Sequence, residues 1–378
     1  MCPLVHPRNS TILEGTTFSL QEHQAPSHKY HFILIVSSSK AQAMKLCMRP
    51  LWLGCLYLAS FALSLPLTAH ASTAPQLATG TTVDDLQTIQ LEAFHKVIIM
   101  GNLQVQIVQK KGKPSLSLPA GNHLKEALEV QLDHRDGTLS LRPRRGKEQT
   151  CENLPLYLTV NELTDLEILG GGDVDFPKGI QTNALCVQVK GSGIIYFEQA
   201  VQAQGNLSLQ VMGSGHIELK KGASCLAYEG RINGSGTINT EGKLRCTSKL
   251  NAEMSGSGRI SFEHIQCMAQ NIKLQGSGKY YGIKVRANTT QVNILGAGKV
   301  YLAGKTHQAN YTVQGSGYID ALNFQSEQVE IDGRNSGSTI RCHSDLIIEG
   351  KIRNNCTLEY TGKAHLNLKV QDGNVRKI

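Results

Sequence analysis

The chain has 378 residues, of which 18% are charged and 5% aromatic, with 37 Gly and 11 Pro. That is a globular composition, but one poor in the aromatics that usually fill a compact core. The formal net charge is +8, and without residues 1–71 it falls to +5, from 33 Lys and Arg against 28 Asp and Glu. This excludes the concentrated charge of a dedicated nucleic-acid binder.

In chain order, residues 1–43 read as a non-native upstream extension or an unusual leader, with Met44 the better start. From Met44 a basic stretch runs to Arg49, an apolar one from Leu51 to Leu67, and Ala69-His70-Ala71 follows. This order predicts a secretory signal peptide over 44–71, cleaved after Ala71. Ser60, Ser64 and Pro66 interrupt the apolar run, which is short for a membrane span. Residues 72–90 read as an irregular leader.

Residues 91–169 read as a β-rich cap. Leu103 to Val108 alternates apolar and polar side chains, as a half-buried strand requires. Leu124 to Leu132 reads as a helical turn running into a strand. Asp136-Gly137 marks a turn before Thr138 to Leu141, and Leu154 to Val160 and Leu163 to Leu169 bring the chain to Gly170.

A tripeptide then recurs: Gly191-Ser192-Gly193, Gly213-Ser214-Gly215, Gly234-Ser235-Gly236, Gly256-Ser257-Gly258, Gly276-Ser277-Gly278 and Gly315-Ser316-Gly317. Gly170-Gly171-Gly172 precedes the set, Gly296-Ala297-Gly298 lies within it, and worn copies follow at Asn335 and Asn354. The steps from Gly170 to Asn354 are 21, 22, 21, 22, 20, 20, 19, 20 and 19 residues. A period this regular predicts a solenoid.

Apolar residues alternate on both sides of each glycine pair: Leu207, Leu209 and Val211 before Gly213, Ile217 and Leu219 after it. Two short strands therefore face one interior, with room for a third per repeat. The expected fold is an all-β, right-handed parallel β-helix with coils of about 19–22 residues over 170–378. The glycines are corners, needing either positive φ or a backbone without Cβ. The middle Ser is expected to bond locally to the backbone. A flexible linker lacks the apolar alternation, a nine-residue calcium repeat has the wrong period, and no phosphate-loop pattern is present. Thr361 to Ile378 reads as one more strand and a polar end that discourages edge pairing.

Seven cysteines follow residue 71. No CxxC spacing supports zinc. Cys225, Cys246 and Cys267 fall in one column at the strand spacing of about 4.8 Å; such neighbours can form a disulfide, and the plainer reading is a column of small apolar residues.

The stretch from Phe94-His95-Lys96-Val97 through Leu103-Gln104-Val105-Gln106-Ile107, the Asp136-Gly137-Thr138-Leu139 turn, Leu154 to Val160, Leu163-Thr164-Asp165-Leu166 and the G-S-G coils resembles the auto-transporter adhesin head GIN domain family. The resemblance covers about residue 90 to the C-terminus. It implies an exported bacterial β-helix of unknown function, with no catalytic residues, cofactor or metal to carry over, and its name points to adhesion. Because coils run almost to Ile378, no C-terminal membrane barrel is expected, and self-secretion is not expected either.

Outward columns beside the corners are where binding is expected. Three residues after the first glycine come Arg259, Lys279 and Lys299; five after it, Tyr281 and Tyr301. Like charges at coil spacing repel, so an acidic partner relieves them. The expected partner is an anionic glycan, lipopolysaccharide or an envelope protein, with the tyrosine rings as stacking platforms and no nucleic acid. The plainer reading is a solvated, aggregation-resistant face. The rival class is a polysaccharide lyase or hydrolase, which wants clustered carboxylates. Glu198, Glu218, Glu241, Glu253 and Glu263 are instead scattered over successive coils, and Asp173 and Asp175 flank Val174. The expected protein is therefore non-catalytic, in the periplasm, on the outer-membrane surface or secreted.

Overall fold

The computed structural model describes residues 86–152, 154–334 and 337–378, with the strands Phe18–Gln21 and Ile33–Val36. The expected signal peptide and most of the upstream extension lie outside the described residues. The chain forms two units, Met1–Ala74 and Pro75–Ile378. In the first, the two strands pair antiparallel, with Phe18 opposite Val36.

The second unit is a β-solenoid of about 10 turns whose coils stack in parallel, and 69% of the described residues are in strands. Each coil carries a strand before the glycine corner (the first face), one after it (the ladder face), and from Ile180 onward a short third-face strand. The stacking is in register on the two faces that flank the corner: Leu207 pairs with Leu185 and Tyr228, and Ile217 with Ile195 and Ile238. Register holds because a one-residue slip would turn every inward side chain to solvent. The alternating positions read from the sequence are the core: Leu207, Leu209, Val211, Ile217 and Leu219 are all fully buried.

The two corner glycines answer to different constraints. Gly234 has φ +131, a region open to glycine, and a Cβ there would sit 2.4 Å from the carbonyl oxygen of Gly213. At Gly236 the backbone is ordinary, but a Cβ would strike Val211 Cγ1 at 2.4 Å. The amides of Ser235 and Gly236 both donate to the carbonyl of Gly213, each at 3.0 Å. The serine hydroxyls, expected to bond locally, instead point to solvent; backbone amides satisfy the corner without them.

The N-terminal end departs from chain order. Lys96–Met100 lies between Thr138–Pro143 and Asp165–Gly170, and Gln104–Gln109 between Pro155–Val160 and Asp173–Phe176. The earliest coil is thus enclosed by later ones. Antiparallel partners close the end: Leu128–Asp133 covers Thr138–Pro143, and Ser115–Pro119 covers Pro155–Val160. Ser115–Pro119 is covered in turn by Leu86–Gln90, so the leader expected to be irregular to Gln90 ends in a strand. At the other end Thr361 to Ile378 supplies two strands, His365–Gln371 and Asn374–Lys377, where one was expected.

The interior compensates locally for size. Tyr228 is fully buried over Gly230, where a Cβ would lie 3.0 Å from the ring, and Tyr280 packs likewise against Gly282. Beside them Gln270 Nε2 donates to the Tyr280 hydroxyl at 2.5 Å, which meets part of the need of a buried amide. The Tyr228 hydroxyl has no hydrogen-bond partner. Cys225, Cys246 and Cys267 form the expected inward column on the third face; all seven cysteines after residue 71 are free thiols, and Cys225 Sγ lies 3.6 Å from Cys246 Sγ. Burial pushes the Cys267 thiol up to about 12, whereas the hydrogen bond with Cys246 lowers Cys225.

Candidate ligand-binding face

Parallel register brings the expected ladder together. Arg259 pairs with Lys279 and Lys279 with Lys299, while Tyr281 pairs with Tyr301 on the same strands. All three cations are exposed, because alternation turns these positions outward. None of the three forms an ion pair among the described residues, so three like charges stand at successive coil spacings of about 4.8 Å.

The tyrosines are arranged differently from the expectation. Tyr281 and Tyr301 stack on each other, centroids 5.0 Å apart and planes within 5°. Tyr318 leans on Tyr301 at 5.9 Å, and the Arg259 guanidinium lies 5.7 Å from the Tyr281 centroid. With both faces of each ring occupied, neither is a platform for a sugar. What they present to solvent is a row of ring edges and hydroxyls, the electropositive rim of the aromatic system. Burial raises the Tyr301 pKa, reinforced by Tyr281, so its hydroxyl stays a donor.

Toward the C-terminus the charges on this face become paired. Arg341 donates to Asp320 at 3.0 Å and to Glu359 at 2.9 Å, and Tyr318 donates to Asp320 at 3.1 Å. Hydrogen bonds from Arg376 and then Arg341 hold Glu359 below the usual carboxylate range. Tyr318 joins this closed network to the open ladder.

On the N-terminal side, stacking gathers carboxylates that are separate in sequence. Lys220 donates to Glu198 at 2.5 Å, with Asp175 and Glu218 close enough to raise its pKa further. Glu241 is raised by burial and by a hydrogen bond with Glu218. Asp175 is raised by burial, then by Glu198, against the pull of Lys220. Carboxylates scattered over successive coils therefore become a cluster around one lysine.

A raised carboxylate pKa means that ionisation costs folded-state stability as pH climbs from the unfolded value of about 3.9. Asp175→Asn is thus expected to raise the melting temperature at about pH 7 by roughly 1–2 °C and to change it little near pH 4. A lower melting temperature at neutral pH would mean that attraction to Lys220 prevails.

The cations that sequence reasoning missed lie across the next bend. Arg245, Arg286 and Lys305 stand on the third face in the column Arg245, Gln266, Arg286, Lys305, and Lys284 sits at the bend. Counting charge coil by coil finds them. Residues 243–305 hold ten Lys and Arg against two Asp and Glu, a net of +8. Residues 86–242 hold 15 against 16, and 306–378 hold eight against eight.

The family model described as "Putative auto-transporter adhesin, head GIN domain" matches residues 93–264 and again 243–364. Similar solved structures include a putative adhesin from Parabacteroides merdae ATCC 43184, 13% identical over 78% of this chain and 95% of that one, TM-score 0.41. Another is a putative adhesin from Parabacteroides distasonis ATCC 8503, 12% identical over 78% and 96%, TM-score 0.40. A third, from the same organism, is a putative lipid binding protein, 16% identical over 78% and 96%, TM-score 0.33. No curated protein matches the chain.

Proposed function

The chain belongs to the auto-transporter adhesin head GIN domain family, and from that premise we propose that it is an exported, non-catalytic adhesin that binds anionic glycan, lipopolysaccharide included, on the face bearing Arg259, Lys279, Lys299, Tyr281 and Tyr301. The observation that carries this reading is the stack of three cations left without carboxylate partners. Coils on either side pair theirs, as in Lys220 with Glu198 and Arg341 with Glu359. Holding like charges in register is unfavourable unless a ligand supplies the counter-charge. The tyrosine edges supply donors beside them.

The test is binding of the purified protein to immobilised lipopolysaccharide and to an array of uronate and sulfated glycans. Lys279→Glu combined with Lys299→Glu is expected to weaken binding about tenfold or more. Lys351→Glu with Lys369→Glu, the same charge change on the first face, should have little effect. Equal losses from both pairs, or none from the ladder pair, would remove the proposal. Surface exposure, which an adhesin requires, is read by protease shaving of intact cells carrying tagged protein.

A second reading, a polysaccharide-cleaving β-helix, is favoured by the carboxylate cluster around Lys220 with its raised Asp175 and Glu241. Release of reducing ends from a uronate polymer by the wild type, lost in Asp175→Asn, would establish it in place of the adhesin.

A further inference from the structure

Resting on that reading, we infer that the ligand is a long, linear polyanionic glycan, carrying uronate or sulfate groups. It crosses the coils and follows the bend from the ladder face onto the third face. There it is held by Arg245, Lys284, Arg286 and Lys305.

The charge distribution carries the argument. The band 243–305 contains a net +8, while the described residues before it sum to −1 and those after it to zero. All ten cations in the band are exposed. Among the described residues only Lys284 has a carboxylate near, Glu263 at 3.8 Å, and both side chains are more than half exposed, so that pair contributes little. A concentration of unpaired like charge on one part of a shaft raises the local density of any anionic ligand.

The placement of the cations selects the form of the ligand. The strand Lys279–Arg286 has a cation at each end and Lys284, with φ +53, at the bend between them. Its two ends are separated by at most about 23 Å of extended chain. A compact phosphorylated headgroup reaches one end only, whereas a flexible polymer reaches both and gains the multivalent advantage. Neighbouring coils repeat the track: Lys299 and Lys305 above, Arg259 below.

The same band disfavours the other polyanions. Its exposed apolar side chains, Met268, Ile283 and Leu295, lie on three different edges and form no patch to enter a bilayer. The ring faces of Tyr281 and Tyr301 are covered, so a single-stranded nucleic acid finds no stacking platform.

The experiment titrates the intact protein with fluorescent alginate oligomers of graded length, and with phosphatidylglycerol vesicles and single-stranded DNA for comparison. Affinity should rise with oligomer length and fall with salt, as exposed charges require. Arg245→Glu, Arg286→Glu and Lys305→Glu together should weaken long oligomers about tenfold or more and leave the shortest unchanged. The ladder pair Lys279→Glu and Lys299→Glu should weaken both. The neutral set Arg245→Gln, Arg286→Gln and Lys305→Gln, expected to be intermediate, guards against misfolding of the reversed protein, and far-ultraviolet circular dichroism checks each variant.

If the third-face variants bind long oligomers like wild type while the ladder pair does not, this inference fails and the ladder proposal stands. If neither set matters, both fail. Binding to vesicles or DNA as tight as to long alginate would also overturn it.

Discussion

Gly234→Ala is expected to destabilise the solenoid by roughly 2–6 kcal/mol, combining about 1–3 for a left-handed backbone with a side chain and about 1–3 for overpacking. The two parts have separate origins. At φ +131 an L-residue is strained whatever space surrounds it, and the new Cβ would also lie 2.4 Å from the Gly213 carbonyl oxygen. That oxygen cannot retreat, because it accepts from both Ser235 and Gly236. The adjacent Ser235→Ala, at an exposed position whose hydroxyl bonds to nothing, should change stability by less than about 0.5 kcal/mol. Urea unfolding followed by circular dichroism compares the two. Since each coil contacts only its neighbours, a defect in mid-stack should also broaden the transition or split it in two. Equal midpoints for the two variants would show that the corner is no constraint.

The second large effect is expected at Tyr228. Tyr228→Ala empties the space that Gly230 leaves, at about 3–5 kcal/mol. Tyr228→Phe should be neutral or mildly stabilising, because the hydroxyl is buried without a partner. Gly230→Val meets the ring and costs about 1–3 kcal/mol. Combined with Tyr228→Leu it recreates the Leu185 and Val187 pair two coils below, so the double variant should beat the sum of the singles by about 0.5–3 kcal/mol. Strict additivity in thermal unfolding would mean that the tyrosine and the glycine do not compensate.

How much of this is visible without coordinates depends on the distance over which each feature is decided. The corners are local. Gly234-Ser235-Gly236 must turn where it stands, and the apolar residues flanking it alternate because successive strand positions face opposite ways. Ten copies of a local rule predict the coil, the register and the buried columns. The ladder Arg259, Lys279, Lys299 is legible for the same reason, since a fixed period converts spacing in sequence into neighbours in space. The conformation of its tyrosines is not. Ring stacking depends on side-chain angles and on Arg259 from the next coil, so platforms were expected where Tyr281 and Tyr301 present edges.

The carboxylates near Lys220 mark the same limit. Read singly, Asp175, Glu198, Glu218 and Glu241 are acids scattered over successive coils; stacked, they share one cation and shift one another's protonation. The third-face cations escaped because Arg245, Arg286 and Lys305 sit near the irregular part of the repeat, where bulges shift the register between coils.

By itself the sequence determined a parallel β-solenoid, where its corners lie and which residues line its interior, because each repeat obeys the same short-range backbone and burial constraints. Tertiary structure alone decided three things. Lys96–Met100 lies inside the cap, between strands that come later in the chain. Tyr228 fills the space left by Gly230. The cations of residues 243–305 spread over all three faces of one shaft. The reason is common to all three: each depends on contacts between segments that no period relates, and only the closed stack brings those segments together.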